Sequence, residues 1–103
     1  MEITDFGIRL AKLREAKGIS ARDMSHGLGK SASYINKIEL DKGLPSMVAF
    51  FDICDFLGIS PKDFFDDDNN NPVQINEFIT DYKNLDDAYQ TSIAGMVRSL
   101  RKR

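Results

Sequence analysis

The chain is predicted to be all-α, a five-helix bundle over roughly its first two thirds with a helical extension at the C-terminal end. Three observations carry this. Residues 18–58 read as two short helices joined by a tight, glycine-containing turn and followed by a third helix. Apolar residues recur three or four apart, the spacing of one helix face, both before this segment (Phe6, Leu10, Leu13) and after it (Ile75, Phe78, Ile79, Tyr82). Between the stripes stand small polar caps and glycines, the start and stop signals of short helices.

The first helix is expected from about Asp5 to Lys17, capped by Thr4 or Asp5 and stopped by Gly18 in a left-handed conformation. The second opens after Ser20, whose hydroxyl and the Asp23 carboxylate have the spacing of a reciprocal capping box. Met24 and Leu28 point inward from it, and Gly27 and Gly29 allow positive φ angles at its end and in the turn. The third is expected over Ala32 to Leu40 with Ser31 as N-cap and Ile35 and Ile38 inward. After the loop Asp41-Lys42-Gly43-Leu44, Pro45-Ser46 announces a strongly apolar fourth helix carrying Met47, Phe50, Phe51, Ile53, Cys54 and Leu57 and closed by Gly58. Ser60-Pro61 starts a short fifth that delivers Phe64 and Phe65 onto the core.

Composition changes at residues 66–72, DDDNNNP, which read as an exposed linker ending in a helix-breaking proline. The domain reading is therefore 1–65, a linker over 66–72, and a helical segment over 73–103. That segment carries two stripes, Ile75/Phe78/Ile79/Tyr82 and Tyr89/Ile93/Met96/Val97/Leu100, with a break near Asn84. Neither stripe is stable in water without a partner, so this segment is expected to dimerise through Ile93, Met96, Val97 and Leu100, and it can also hold a partner protein.

At 103 residues and 42% hydrophobic composition the chain supports one modest core. It has no run of eighteen apolar residues, and its first ten residues lack a basic stretch followed by an apolar one, so neither a membrane span nor a signal peptide is expected. The expected location is cytoplasmic, in keeping with a single cysteine, Cys54. The net charge of -2 argues against a generally basic nucleic-acid binder. Residues 1–60 are balanced, with eight basic and eight acidic side chains, but Arg22, Lys30, Lys37 and Lys42 fall on one helix start, the turn, the next helix and the loop after it. That distribution allows a local positive face on a neutral domain.

Catalysis and metal binding find no support. His26 is the only histidine, and nothing groups a nucleophile, a base and an orienting residue. The acidic run at 66–68 lacks the alternating ligands, glycine and closing glutamate of a calcium loop. No cofactor is expected.

The segment from Phe6 to Phe65 resembles the Cro/C1-type, or XRE-type, helix-turn-helix family of transcriptional regulators. The resemblance rests on LAKLREAKGIS, Met24 to Gly29, SASYINKIE at Ser31 to Glu39, and LPSMVAFFDICDFLGISPKDFF. It implies a lambda-repressor-like bundle of about five helices, with the third entering the major groove of double-stranded DNA and the second lying across the backbone. Carried over by position, it implies base-edge roles for Ala32, Ser33, Asn36 and Lys37. Ser31, Tyr34, Lys30, Arg22 and Lys42 would lie nearer the phosphates, one of which the amides around Ala21 and Arg22 would face. It also implies an ion pair between Arg14 and Glu39, tying the reading helix to the scaffold.

The chain departs from the family pattern at four positions. Ala21 stands where many members have glutamine, Ala32 where many have a polar or basic residue, and Leu40-Asp41 where arginine and glycine are common. Ala32 can still touch a thymine methyl, Asn36 can pair with adenine and Lys37 with guanine. The reading that follows is a repressor acting as a homodimer on a palindromic operator. The alternative is a protein-interaction module, an antirepressor or adaptor, that keeps the fold and uses Phe51, Phe56 and the C-terminal stripes to hold a partner.

Overall fold

The computed structural model describes residues 1–2 and 5–101, and every regular element among them is a helix. In chain order these are α1 (Phe6–Lys17), α2 (Ala21–Gly27), α3 (Tyr34–Glu39), α4 (Met47–Leu57), α5 (Pro61–Phe64), α6 (Pro72–Lys83) and α7 (Asp87–Leu100). Two compact units result, one from Met1 to Val73 and one from Gln74 onward. Thr4, one of the two expected caps of α1, and Lys102 and Arg103 of the basic C-terminal end lie outside the described residues.

The first unit is built on the predicted stripes. Phe6, Leu10 and Leu13 of α1, Met24 of α2, Ile35 and Ile38 of α3, and Phe50, Ile53, Cys54 and Leu57 of α4 form one buried cluster with Ile59 and Phe64. The Phe64 ring is its floor, 4.8 Å from Phe6 and edge-on to Phe50 at 5.1 Å, an arrangement aromatic quadrupoles favour. Burial pushes the Cys54 thiol up to about 11, with the neighbouring Asp55 charge adding to it, so Cys54 is a small apolar residue here and not a nucleophile. Of the large apolar residues that α4 carries, Met47 and Phe51 are exposed. Phe56 is partly buried and packs against the core. Phe64 is fully buried while its neighbour Phe65 stays half exposed.

The helix ends follow local chemistry. Ser46 caps α4 by accepting from the Ala49 amide at 3.1 Å. The expected box at Ser20 is half formed: Ser20 Oγ accepts from the Asp23 amide at 3.0 Å without a return bond. A complete box forms instead at α5, where Ser60 and Asp63 exchange both bonds. Asp5 makes no cap on α1, because its carboxylate accepts from the Glu2 amide at 2.9 Å. Pro72, expected to end the linker, is the buried first residue of α6, a position where its missing N–H goes unneeded. Val73 beside it packs against the first unit's core.

Two buried residues of α1 join distant parts of the bundle. Arg9 is 3% exposed and donates through Nε to the Phe64 carbonyl at 2.6 Å and through Nη2 to the Asp63 carbonyl at 2.8 Å. It thereby ties α1 to main-chain carbonyls at the end of α5. Gly7 marks the closest approach of α1 to the end of α3: a Cβ there would lie 2.6 Å from the Ile38 carbonyl oxygen and 2.7 Å from that of Glu39. Gly7→Ala should destabilise the unit by about 1–3 kcal/mol, despite alanine's better helix propensity. An unfolding midpoint at or above that of the wild type would show that α1 and α3 can separate without loss.

The second unit is a helical hairpin. Gln90 Nε2 donates to the Tyr82 carbonyl at 2.9 Å, and the Tyr82 hydroxyl donates to the Gln90 carbonyl at 3.3 Å, closing the turn between α6 and α7 at the expected break. A groove of about 340 Å³ between the two helices is lined by Phe78, Tyr82, Ile93, Ala94 and Val97, with Arg98 and Arg101 at its rim. No residue of α7 is buried. Ile93 is half-buried, while Met96, Val97 and Leu100 continue the same i, i+3, i+4, i+7 stripe in the open.

Candidate nucleic-acid interface

The α2–turn–α3 segment is held by one buried hydroxyl. Ser25 is fully buried, donating through Oγ to the Ala21 carbonyl at 2.8 Å and accepting from the Ile35 amide at 2.9 Å. This second bond caps α3 from across the turn. It explains why α3 begins at Tyr34 rather than at Ala32, and why Ser31 is not its cap. The Ser31 carbonyl instead accepts from the Tyr34 amide at 3.0 Å, leaving Ala32 and Ser33 in a turn, and Ser33 makes no side-chain cap bond. Gly29, at φ 71°, supplies the left-handed residue of the turn. Gly27 lies inside α2 and has another role: a Cβ there would meet the Phe56 ring at 2.6 Å.

From this frame Asn36 and Lys37 project from the face of α3 opposite Ile35 and Ile38, with the N-cap Ser33 one turn before them, and all three are exposed. Ser31, Ala32 and Lys30 are exposed in the lead-in to α3, Arg22 on the first turn of α2 and Lys42 in the loop beyond α3. Ala21 and Tyr34 are half-buried. Lys30 Nζ sits 5.4 Å from the centroid of the Tyr34 ring, within cation–π range. Burial raises the Tyr34 phenol above its ordinary pKa, and the Asp52 charge raises it further, so near neutral pH it is a hydroxyl donor. At the start of α2, Ser20 Oγ takes the Asp23 amide and the Ser20 carbonyl takes the Met24 amide, while the Ala21 and Arg22 amides, as the first of the helix, have no acceptor within it.

The far end of α3 is tied to α1. Arg14 Nε and Nη2 donate to Glu39 Oε2 and Oε1 at 2.8 and 2.9 Å, and Arg14 Nη1 donates to the Ile19 carbonyl at 2.8 Å. Only 14% of the Arg14 side chain and 9% of the Glu39 side chain reach solvent. The Glu39 hydrogen bonds raise the arginine's pKa against the opposing effect of burial. The α3 helix is thus pinned at both ends, by Ser25 at its start and by Arg14 at its finish. Sequence reasoning named the second device and missed the first. The available signal for Ser25 was a serine next to Met24 on the inner face of α2, where a hydroxyl needs a partner.

The carboxyl end of α3 closes through two bonds, Asp41 N to the Ile38 carbonyl at 3.0 Å and Lys42 N to the Lys37 carbonyl at 2.9 Å, with Asp41 at φ 59°. This is a Schellman closure. It fixes Lys42 next to the reading face.

Among the described residues no group of three or more His, Cys, Asp or Glu side chains is placed to hold a metal ion, and no helix is long and apolar enough to cross a membrane. No curated protein and no solved structure matches the chain. A family model described as helix-turn-helix matches residues 10–64, more than half the chain and all of α2 through α5. With the bundle, the turn and the pinned third helix in place, the match is decisive: the chain belongs to the Cro/C1-type, or XRE, helix-turn-helix family of DNA-binding regulators.

Proposed function

We propose that the protein is a cytoplasmic transcriptional repressor that binds a two-fold symmetric operator as a homodimer. The observation that carries this reading is the exposed polar face of α3, Ser33/Asn36/Lys37, on a helix pinned at both ends by buried bonds. A helix held this firmly meets base edges with little ordering cost. In this reading Asn36 pairs with an adenine edge, Lys37 donates to guanine, and the Ala32 methyl meets a thymine methyl, with Ser33 beside them. Arg22, Lys30, Ser31, Tyr34 and Lys42 bind phosphates, as do the amides of Ala21 and Arg22. The α7 stripe of Ile93, Met96, Val97 and Leu100 pairs with that of a second copy, and the half-sites lie about one helical turn, roughly 34 Å, apart, as for helix-turn-helix dimers in general.

Selection from a pool of random duplexes tests this directly. An inverted repeat should be enriched, and Lys37→Ala should weaken its binding by about 1–3 kcal/mol while relaxing the preference at one base pair of each half-site. Failure to retain any duplex would end the DNA-binding reading. It would promote the protein-interaction alternative, for which the exposed Leu44, Met47, Phe51 and Phe65 give a separate apolar surface.

A further inference from the structure

Four helices of the first unit end in the same way. In each, a left-handed residue donates to the carbonyl three positions back, and the next residue donates to the carbonyl five back: Gly18 and Ile19 after α1, Gly29 and Lys30 after α2, Asp41 and Lys42 after α3, Gly58 and Ile59 after α4. Three of the four left-handed positions are glycine. The fourth is Asp41, the only non-glycine residue with positive φ among the described residues. It is exposed, and among the described residues its carboxylate has no hydrogen-bond or ion-pair partner. A side chain is disfavoured at this φ, and a negative charge is disfavoured at the carboxyl end of a helix. Both penalties fall on the helix proposed to read DNA.

We infer that Asp41 is an electrostatic brake on DNA affinity: its carboxylate, held beside Lys42 at the end of α3, opposes the phosphates that Lys42 and Lys37 attract. The inference rests on the DNA-binding reading above. The two bonds that close α3 hold the Asp41 backbone in place, so the carboxylate stays at the carboxyl end of α3, beside Lys42 in the chain. Glu39, two residues earlier, does not share this role, because its charge is spent on Arg14. Asp41 thus subtracts from a basic set that is already small.

The test compares the full chain with Asp41→Asn, which tolerates the same φ and removes the charge at nearly the same size, and with Asp68→Asn, which makes the same chemical change in the loop after α5. Binding to the operator duplex enriched by selection is measured by fluorescence anisotropy over a range of salt concentrations. Asp41→Asn should tighten binding about 3- to 10-fold near 0.1 M salt, with the gain shrinking as salt rises, and Asp68→Asn should change it less than about twofold. If the wild type binds the operator and Asp41→Asn binds no more tightly than Asp68→Asn, the brake is rejected and the DNA-binding reading stands. Weaker binding by Asp41→Asn would also overturn it, making the carboxylate an acceptor for a base amine. If no variant retains any duplex, the DNA-binding reading itself has failed and this inference falls with it.

Discussion

Arg14→Ala is expected to lower the unfolding free energy of the first unit by about 3–5 kcal/mol, the loss typical of removing one partner from a largely buried, hydrogen-bonded ion pair. Three groups lose their partner at once: both Glu39 oxygens, in a side chain only 9% exposed, and the Ile19 carbonyl. A surface pair would be worth less than about 1 kcal/mol, so the size of the effect separates the two cases. At the 4–8 °C per kcal/mol usual for a unit of this length, the thermal midpoint should fall by at least about 12 °C. Arg14→Lys keeps a charge but not the planar fork, and should recover only part of the loss. An unchanged midpoint for Arg14→Ala would remove the pair from the account of how α3 is held. Binding should fall with stability, because the helix freed at its Glu39 end is the one that carries Asn36 and Lys37.

What was legible in the sequence is what local chemistry decides. The stripes of α1 and α4, the stops at Gly18 and Gly58, the cap at Ser46 and the break near Asn84 each depend on residues within one or two turns, and each stands where the pattern puts it. The start of α3 was misread because its cap comes from Ser25, ten residues earlier. The place of Arg9 was not legible, since nothing near it in sequence shows that its partners are the main-chain carbonyls of Asp63 and Phe64. Gly27 was assigned to turn flexibility when its lack of a Cβ makes room for Phe56. In each case the deciding partner lies on another helix, and a one-dimensional pattern carries no distance between helices. The candidate site was legible as a set of positions through the family resemblance. The pinning of α3 by Ser25 and the left-handed Asp41 were not.

Ending the chain after Val73 should convert a dimer into a folded monomer and weaken operator binding by about 10²–10⁴-fold, the contribution of linking two half-site contacts. Folding of the truncated chain is expected because the buried cluster from Phe6 to Phe64 lies wholly within it, and because the cut leaves Pro72 and Val73 in place. The hairpin's case for pairing is its own deficit. A helix of 14 residues is marginal alone in water, and α7 buries none of its residues while Met96, Val97 and Leu100 stand open. A second copy offers the same stripe, and a two-fold pairing of like with like is the usual closed solution for identical chains. Val97→Glu in the full chain places a charge in that stripe and should give the same monomer without removing any backbone, which separates loss of the interface from loss of the segment. Sedimentation decides: a truncated chain that still runs as a dimer would move the interface to the exposed Leu44, Met47, Phe51 and Phe65 of the first unit. The α7 stripe would then be left for a different protein.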